Sequence, residues 1–236
     1  MSGYVSLWGK HAVFSVLKNR TRKINKLYCT ENLLDEIKQF GNFFPIEIVT
    51  KAFLNQKLPE EVHQGVLLIC SSHECCKLSL CKHLNHGDKI LALDHVQDPQ
   101  NVGAIIRSMA AFNFKHLLIT KDRAPSLDGT VAKNACGALE YIHVLKVTNL
   151  ADGLIFLKKK GFWCFGLDLQ GENYRKDMVN DNCVLVVGNE GSGMRHRVKN
   201  ECDFLLNLDT NVNFPVLNAS VSAAIGMFMF NGRSSL

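Results

Sequence analysis

Short apolar segments alternate with longer amphipathic segments along most of the 236-residue chain. Apolar runs of strand length occur at residues 26–29, 46–49, 66–70, 90–93, 116–119, 141–145, 162–167, 183–187 and 204–208. Stretches with helical spacing of apolar positions lie between them, at residues 102–112, 129–139, 150–160 and 219–230. This alternation predicts βαβ units and therefore an α/β fold with a largely parallel sheet.

Residues 71–87 interrupt this alternation, because they are polar and rich in Cys, His and Lys. We interpret residues 76–87 as a linker between a small N-terminal domain, 1–75, and a larger domain, 88–236. No internal repeat is visible. The same region offers a dense group of zinc-ligand residue types, namely Cys70, His73, Cys75, Cys76, Cys81, His83 and His86. Their spacing lacks the paired knuckles of structural zinc sites, so we predict no metal site.

The composition is that of an ordinary globular protein, with 47% hydrophobic and 21% charged residues. No apolar run approaches the roughly 18 residues needed to cross a bilayer. The first twenty residues lack the pattern of a signal peptide. Nine cysteines, an odd number, are scattered along the chain, and several lie in apolar runs. We therefore expect a soluble protein of the reducing cytoplasm with no membrane partner.

Positive charge is concentrated at the start of the chain. The net charge is +5, and the first thirty residues contain six basic and no acidic residues, whereas charges nearly balance in the remainder. Lys10, Arg20, Arg22 and Lys23 belong to this segment. Such a segment attracts polyanions such as RNA. A solvated helix face explains the same charge pattern, and charge alone does not decide between the two.

Three segments carry candidate chemistry, and the first covers residues 93–110. A strand ends there, Asp98-Pro99 turns the chain, and we expect Asn101 to cap the helix that follows. Arg107 falls on the polar side of that helix. Taken alone, the segment is better explained as an ordinary capped helix with a surface arginine.

In the second segment, residues 184–194, a buried strand opens into a loop with three glycines and Glu190. Its spacing fits neither a dinucleotide fingerprint nor a phosphate loop, but ligands of open α/β sheets bind beyond such strand ends. In the third segment, residues 206–224, a polar loop leads into an alanine-rich helix for which Asn218 is a candidate N-cap. Small residues there allow close packing, either internally or against a second subunit.

In this order and spacing, the three segments resemble the signature motifs of the SpoU/TrmH family, the knotted RNA ribose 2′-O-methyltransferases of the SPOUT superfamily. The resemblance covers nearly the whole chain. It includes residues 4–17 and His63-Gln64-Gly65 in the N-terminal domain, and Lys121-Asp122-Arg123 and Ala135-Cys136-Gly137-Ala138 in the larger domain. The chain is most similar to the RlmB-type members, which methylate a guanosine of 23S ribosomal RNA.

The resemblance implies a larger domain whose C-terminal segment forms a trefoil knot, a feature that periodicity does not predict. It also implies S-adenosylmethionine as the cofactor, with Gly188, Leu208 and Leu217 as its contacts. Members of the family are homodimers with an N-terminal RNA-binding domain, so we expect a homodimer that binds ribosomal RNA.

The catalytic set that carries over is Asn101, Arg107, Glu190 and Asn218. The family's proposal gives the 2′-hydroxyl proton to the arginine, but a guanidinium stays protonated at working pH. We instead expect Arg107 to hold a phosphate and to stabilise the developing alkoxide. Glu190 and Asn101 are then expected to hold that arginine and the ribose, and the proton acceptor stays open.

One departure from the family pattern affects the third motif, where Val216 replaces the usual serine before Leu217-Asn218. The role of the family's serine is either absent from this chain or supplied by Ser220 or Ser222. Three alternatives stay open: a tRNA 2′-O-methyltransferase, a non-catalytic RNA-binding protein with a decayed site, and an NAD-dependent enzyme. The last lacks the glycine-rich turn it needs.

Overall fold

The computed structural model describes residues 3–41, 43–81, 84–174, 182–211 and 213–231. His83, a ligand candidate of the region interpreted as a linker, lies outside the described residues. The chain divides into two compact units. The first contains Met1–Glu74 and Ser126–Tyr141, and the second contains Cys75–Pro125 and Ile142–Leu236. The domain boundaries expected at residues 75 and 88 stay a prediction.

The first unit is built on a four-stranded sheet in the order β1-β4-β2-β3. Its strands are β1 (Tyr4–Trp8), β2 (Ile24–Cys29), β3 (Ile46–Ile48) and β4 (Val66–Ser71). The helices that connect them are α1 (Lys10–Asn19), α2 (Leu34–Lys38) and α3 (Lys51–Lys57). β4 is antiparallel to both β1 and β2, whereas β3 is parallel to β2. α1 buries Ala12, Val13, Val16 and Leu17, which recur at helical spacing.

A segment from the middle of the sequence, Ser126–Tyr141, completes this unit. Its helix begins at Gly129, where a Cβ atom would lie 1.7 Å from the Trp8 ring, so only glycine allows this approach. Its final turn brings Glu140 to the buried guanidinium of Arg22, with Arg22 NH2 2.6 Å from Glu140 Oε1. The Thr21 hydroxyl also donates to Glu140, at 2.5 Å. The segment is therefore held to the N-terminal sheet by apolar packing and a buried ion pair.

The second unit contains a seven-stranded parallel sheet in the order β11-β9-β10-β6-β7-β8-β5. Its strands are β5 (Cys75–Lys77), β6 (Lys89–Asp94), β7 (His116–Thr120), β8 (His143–Val147), β9 (Trp163–Asn173), β10 (Cys183–Gly188) and β11 (Phe204–Asn207). The central strands β6 and β10 are almost wholly buried, as expected for a parallel sheet covered on both faces.

Helices α4 (Pro99–Ala111), α5 (Gly129–Asn134), α6 (Leu150–Lys158), α7 (His196–Glu201) and α8 (Ala219–Phe230) follow in chain order. Three of them begin with a side chain that caps the backbone: Asp98 for α4, Asn149 for α6 and Asn218 for α8. The side chains of α6 enter a core with those of β6, β8 and β10.

The α/β class and the parallel sheet expected from the apolar pattern are confirmed. One local expectation was wrong. Asn101 does not cap α4, because Pro99 occupies the first helical turn and Asp98 accepts from Gln100 N, which places Asn101 inside the helix. The region interpreted as a linker contains β5 and a 3₁₀ turn at Leu78–Leu80, because Leu78 is buried against Leu145 in the core of the second unit.

All nine cysteines are free thiols. Among the residues that the structure describes, no group of three metal-ligating side chains could hold a metal ion. The described helices include none that is both long and apolar enough to cross a membrane.

Candidate active site

The site lies where two central parallel strands end. β6 and β10 are paired so that Asp94 and Gly188, their last residues, face each other across the ladder. A cavity of about 450 Å³, here called the C-terminal cavity, opens beside this edge. It is lined by the end of β10 and by the segments that follow β10 and β11. Ligands of open α/β sheets bind at this position.

The loop after β10 folds back tightly on the strand end. The Asn189 and Gly193 backbones exchange two hydrogen bonds, and Asn189 Oδ1 accepts from the Gly191 and Ser192 amides at 3.0 and 3.2 Å. A Cβ at Gly188 would lie 2.4 Å from the backbone of Gly193 and Met194. The glycine is therefore required for the loop to close over the edge of the cavity.

A buried carboxylate holds the far end of this loop. Asp94 is completely buried, and its Oδ2 accepts from the Arg195 backbone N at 2.8 Å. Its Oδ1 accepts from Arg195 Nε at 2.8 Å and forms an ion pair with Arg195 NH2 at 2.7 Å. Charge-assisted contacts of this kind are shorter and stronger than hydrogen bonds between neutral groups. Asp94 thus ties the loop that follows β10 to the end of β6.

Glu190 lies on the rim of the cavity and is held by two amides. Asn101 Nδ2, on α4, donates to Glu190 Oε1 at 2.6 Å, and Asn189 Nδ2 donates to Oε2 at 3.3 Å. Asn189 Nδ2 also donates to the His95 carbonyl oxygen at 3.1 Å. The first and second sequence motifs therefore meet at the Glu190 carboxylate.

The third motif forms another wall of the C-terminal cavity. Leu208, Val216, Leu217 and Ser222 line it. Asn218 is the N-cap of α8, since its Oδ1 accepts from the Ser220 amide at 2.8 Å and from the Ser220 hydroxyl at 2.6 Å.

The remaining wall comes from an irregularity in β9. β11 pairs with Gly166 and then with Glu172, so residues 167–171 leave the ladder and line the cavity as far as Gln170. At Gly171 a Cβ would lie 2.6 Å from the β11 backbone, so this return to the ladder requires glycine. Asp168 and Lys199 form an ion pair of 2.9 Å within the lining, and their charges compensate each other.

Arg107 is exposed on α4, whereas Val102, Ile106 and Met109 of the same helix are buried, as the sequence predicts. The structure thus brings together Gly188, Leu208 and Leu217 around one cavity and joins Asn101 to Glu190. Arg107 lies within α4, which carries the first motif, and Asn218 is the N-cap of α8, which carries the third.

The basic residues expected to bind RNA belong to the first unit and differ in exposure. Arg20 and Lys23 are exposed, and the Arg20 guanidinium lies 4.4 Å from the centre of the Phe43 ring. Lys10 is partly exposed and pairs with Glu36 at 2.6 Å. The side chain of Arg22 is only 1% exposed because Glu140 binds it, so it presents no charge to solvent.

Sequence reasoning missed the residues that shape the loop, namely Asp94, Asn189 and Arg195. Asp94 and Arg195 are 101 positions apart, so no local pattern connects them. A usable signal did exist for Asp94: an acidic residue at the end of an apolar strand needs a partner if it is buried.

A parallel α/β sheet with a cavity at its central strand ends defines a ligand-binding α/β enzyme domain. The chain belongs to the SpoU rRNA methylase family, whose model matches residues 88–228. A second model, RNA 2′-O ribose methyltransferase substrate binding, matches residues 6–75.

Two relatives have nearly the same length as this chain. The 23S rRNA (guanosine-2′-O-)-methyltransferase RlmB of Coxiella burnetii is 34% identical over 97% of this chain and 95% of its own. The RlmB of Pseudomonas aeruginosa is 30% identical over 97% and 96%.

Solved structures share the fold at lower identity. The SpoU methyltransferase AviRb of Streptomyces viridochromogenes, in complex with the cofactor AdoMet, has a TM-score of 0.83 and 16% identity over 97% of this chain and 89% of its own. The AdoMet-bound rRNA methyltransferase of Sinorhizobium meliloti has a TM-score of 0.82 and 19% identity over 99% and 88%.

Proposed function

We propose that this chain transfers the methyl group of S-adenosylmethionine to the ribose 2′-hydroxyl of a guanosine in 23S ribosomal RNA. The observation that carries the proposal is the convergence of Gly188, Leu208 and Leu217 on one cavity whose rim holds the Glu190–Asn101 pair. Membership of the SpoU family and the names of the two full-length relatives support the same reaction.

The C-terminal cavity fits this cofactor. Its volume of about 450 Å³ suits a ligand of nucleoside size, since such pockets span roughly 300–1,000 Å³. Leu208 and Leu217 supply apolar surface for an adenine, and Gly188 allows the loop to close beside them. When bound, S-adenosylmethionine supplies an electrophilic methyl group on a sulfonium. The chain's own contribution is to orient the ribose for in-line attack.

We assign Arg107 to a phosphate next to the target ribose. Its guanidinium is exposed on α4, and it would stabilise the negative charge that develops on the 2′-oxygen. Glu190, fixed by Asn101 and Asn189, would position the ribose or that arginine. Asn218 caps α8 through its side-chain oxygen, and its NH2 group would donate to the ribose.

The serine role that Val216 leaves vacant in the third motif is assigned to Ser222. Ser222 lines the C-terminal cavity, whereas the Ser220 hydroxyl is engaged with Asn218. The alternative is a third motif that has lost its function. A measurement of S-adenosylmethionine binding distinguishes the alternatives, because only the working site is expected to bind the cofactor.

RNA affinity is assigned to the N-terminal domain, which the substrate-binding model matches over residues 6–75. Lys10, Arg20 and Lys23 would contact phosphates, whereas Arg22 would act inside the fold. Affinity that depends on several phosphate contacts falls steeply with salt concentration.

The assembly is also part of the proposal. α8 exposes Val221, Ile225 and Phe228, which recur at helical spacing on one face, and a helix that is apolar all round requires a partner. We therefore infer a homodimer that buries this face. The trefoil knot and a cytoplasmic location stay predictions within the same proposal.

The decisive experiment compares ribosomal RNA from cells with and without this protein by mapping 2′-O-methyl groups. Loss of one methylguanosine from 23S RNA, restored by the purified protein and S-adenosylmethionine, supports the proposal. Methylation of tRNA instead supports the tRNA alternative. RNA binding without cofactor binding or methyl transfer supports the decayed-site alternative.

A further inference from the structure

The first unit contains a cavity of about 560 Å³ with many polar side chains in its lining. It is formed by the turn after β2, the start of α3 and the loop before β4. Its polar lining consists of Thr30, Asn32, Lys51, Asn55, Glu61, His63 and Gln64. We call it the N-terminal cavity.

A buried histidine fixes the orientation of Asn55. His63 is 3% exposed, and its Nδ1 accepts from the Gly65 amide at 3.0 Å, so Nδ1 carries no proton. Burial lowers the pKa of His63, and the charge of Lys51 lowers it further, which keeps the ring neutral. Nε2 therefore carries the proton and donates to Asn55 Oδ1 at 2.8 Å. The Asn55 amide NH2 faces away from His63.

The same reasoning orients Gln64. The backbone amide of Lys10 can only donate, and it binds Gln64 Oε1 at 2.8 Å. The carbonyl oxygens of Asn55 and Gln64 are thus engaged. Within the described part of the chain, the structure gives their two NH2 groups no acceptor.

The charges of the lining favour an anion. Lys51 is exposed and forms no ion pair within the described ranges. Glu61 is the acidic residue of the lining, and its Oε2 accepts from Trp8 Nε1 at 2.9 Å and from Lys133 Nζ at 3.1 Å. Its charge is therefore compensated, and the cavity offers several donors together with one positive charge.

We propose that the N-terminal cavity binds a backbone phosphate of the RNA substrate. This inference rests on the proposed function. A phosphodiester has acceptor oxygens and a negative charge, which match the amides of Asn55 and Gln64 and the ammonium of Lys51. A base edge that donates hydrogen bonds fits less well, because the side-chain oxygens of Asn55 and Gln64 already accept from His63 and Lys10. Such a contact fixes the position of the RNA backbone on the protein and does not distinguish one base sequence from another.

Two isosteric variants test the cavity. Asn55→Asp and Gln64→Glu keep the oxygen that accepts from His63 and from Lys10, and they replace the donating NH2 by a charged oxygen. Each should weaken binding to a 23S RNA fragment at least tenfold, measured by fluorescence anisotropy. Asn25→Asp and Gln39→Glu introduce the same charge at exposed positions outside the cavity, and they should change the affinity less than threefold.

A third variant does not depend on buried contacts. Lys51→Met should weaken binding to all RNA sequences alike and reduce the slope of log affinity against log salt by about one. This measurement decides the question even if the isosteric variants fail to fold.

The outcomes separate the two proposals. Normal affinity and an unchanged salt slope in all three variants would overturn the cavity proposal, and methyl transfer by the wild type would then still stand. A wild-type protein that binds no RNA would overturn the proposed function itself. Binding of inorganic phosphate that the variants abolish, with RNA affinity unchanged, would show a site for free phosphate and also overturn the inference.

Discussion

At the scale of single residues, Gly188 controls the loop that borders the C-terminal cavity. Gly188→Ala should weaken S-adenosylmethionine binding at least tenfold, because the new Cβ would lie 2.4 Å from the Gly193 and Met194 backbone and displace the loop. Gly191→Ala should have a much smaller effect, since its Cβ would meet only Asn189 Oδ1, at 3.6 Å. Titration calorimetry measures both. Equal losses would mean that the clash at Gly188 is relieved without moving the loop.

Arg107 should matter for the reaction and not for folding. Arg107→Ala should lower the single-turnover rate of methyl transfer by about a hundredfold, the typical loss of one preorganised electrostatic donor. Arg107→Lys should recover little, because a point charge does not reproduce the planar guanidinium.

The control for this prediction is Arg197→Ala, which removes an exposed guanidinium paired with Asp152 at 2.6 Å. Its transfer rate should stay close to that of the wild type. Near-normal turnover in Arg107→Ala would place Arg107 outside the site.

The sequence revealed these residues to different degrees. Gly188 and Glu190 follow a buried strand, so their position beside a ligand site could be inferred from parallel-sheet geometry. The Asp94–Arg195 and Asn101–Glu190 contacts could not, because each joins residues that are far apart in the sequence. Arg22 shows the same limit. Its neighbours indicate a basic surface, but its partner Glu140 is 118 positions away.

At the scale of elements, the attachment of Ser126–Tyr141 to the N-terminal sheet depends on Glu140. Glu140→Ala leaves the Arg22 guanidinium buried without a counter-charge. The free energy of unfolding should fall by about 3–5 kcal/mol, the usual effect of removing one partner of a buried pair. Urea denaturation followed by circular dichroism measures the loss.

An exposed pair on the same sheet provides the comparison. Glu47→Ala removes the partner of Lys26, and both side chains are well exposed. Its free energy of unfolding should remain close to the wild-type value, because water and salt screen such pairs. A similar loss in both variants would show that burial of the Arg22–Glu140 pair has no special importance.

Element prediction succeeded where segments were long or strongly apolar. Helix α8 has the predicted bounds, and β6 and β10 extend their predicted runs by one or two residues. The three-residue strand β5 is too short for periodicity and forms only because β8 supplies its partner. The helix expected over 129–139 ends at Asn134, since Cys136 and Gly137 adopt positive φ.

At the scale of the whole molecule, buried histidines make stability depend on pH. Burial lowers the pKa of His116, and Asp88, 3.2 Å from Nε2, offsets this only in part. Below its ordinary pKa of about 6.5, the unfolded chain binds a proton that the folded chain does not, so stability should fall as the pH decreases from 7.5 to 5.5.

Thermal unfolding across this range tests the effect. His116→Asn should flatten part of the pH dependence, whereas His86→Asn, at an exposed position, should not. An identical pH profile for wild type and His116→Asn would contradict the assignment.

The exposed face of α8 should hold two copies together. Ile225→Asp places a charge in the middle of the apolar row formed with Val221 and Phe228, so it should shift the sedimentation coefficient from dimer to monomer. Leu80→Asp alters another exposed apolar side chain and should leave the dimer intact. A wild-type protein that sediments as a monomer would refute the homodimer.

The discontinuous make-up of the first unit has a consequence for synthesis. A growing chain delivers residues from the N-terminus, yet this unit lacks Ser126–Tyr141 until more than fifty further residues have been added after Glu74. Until then Arg22 has no Glu140, and the Trp8 ring is uncovered. Ribosome-bound chains stalled before residue 126 should therefore be cut by protease within the N-terminal sheet, whereas chains stalled well beyond residue 141 should resist.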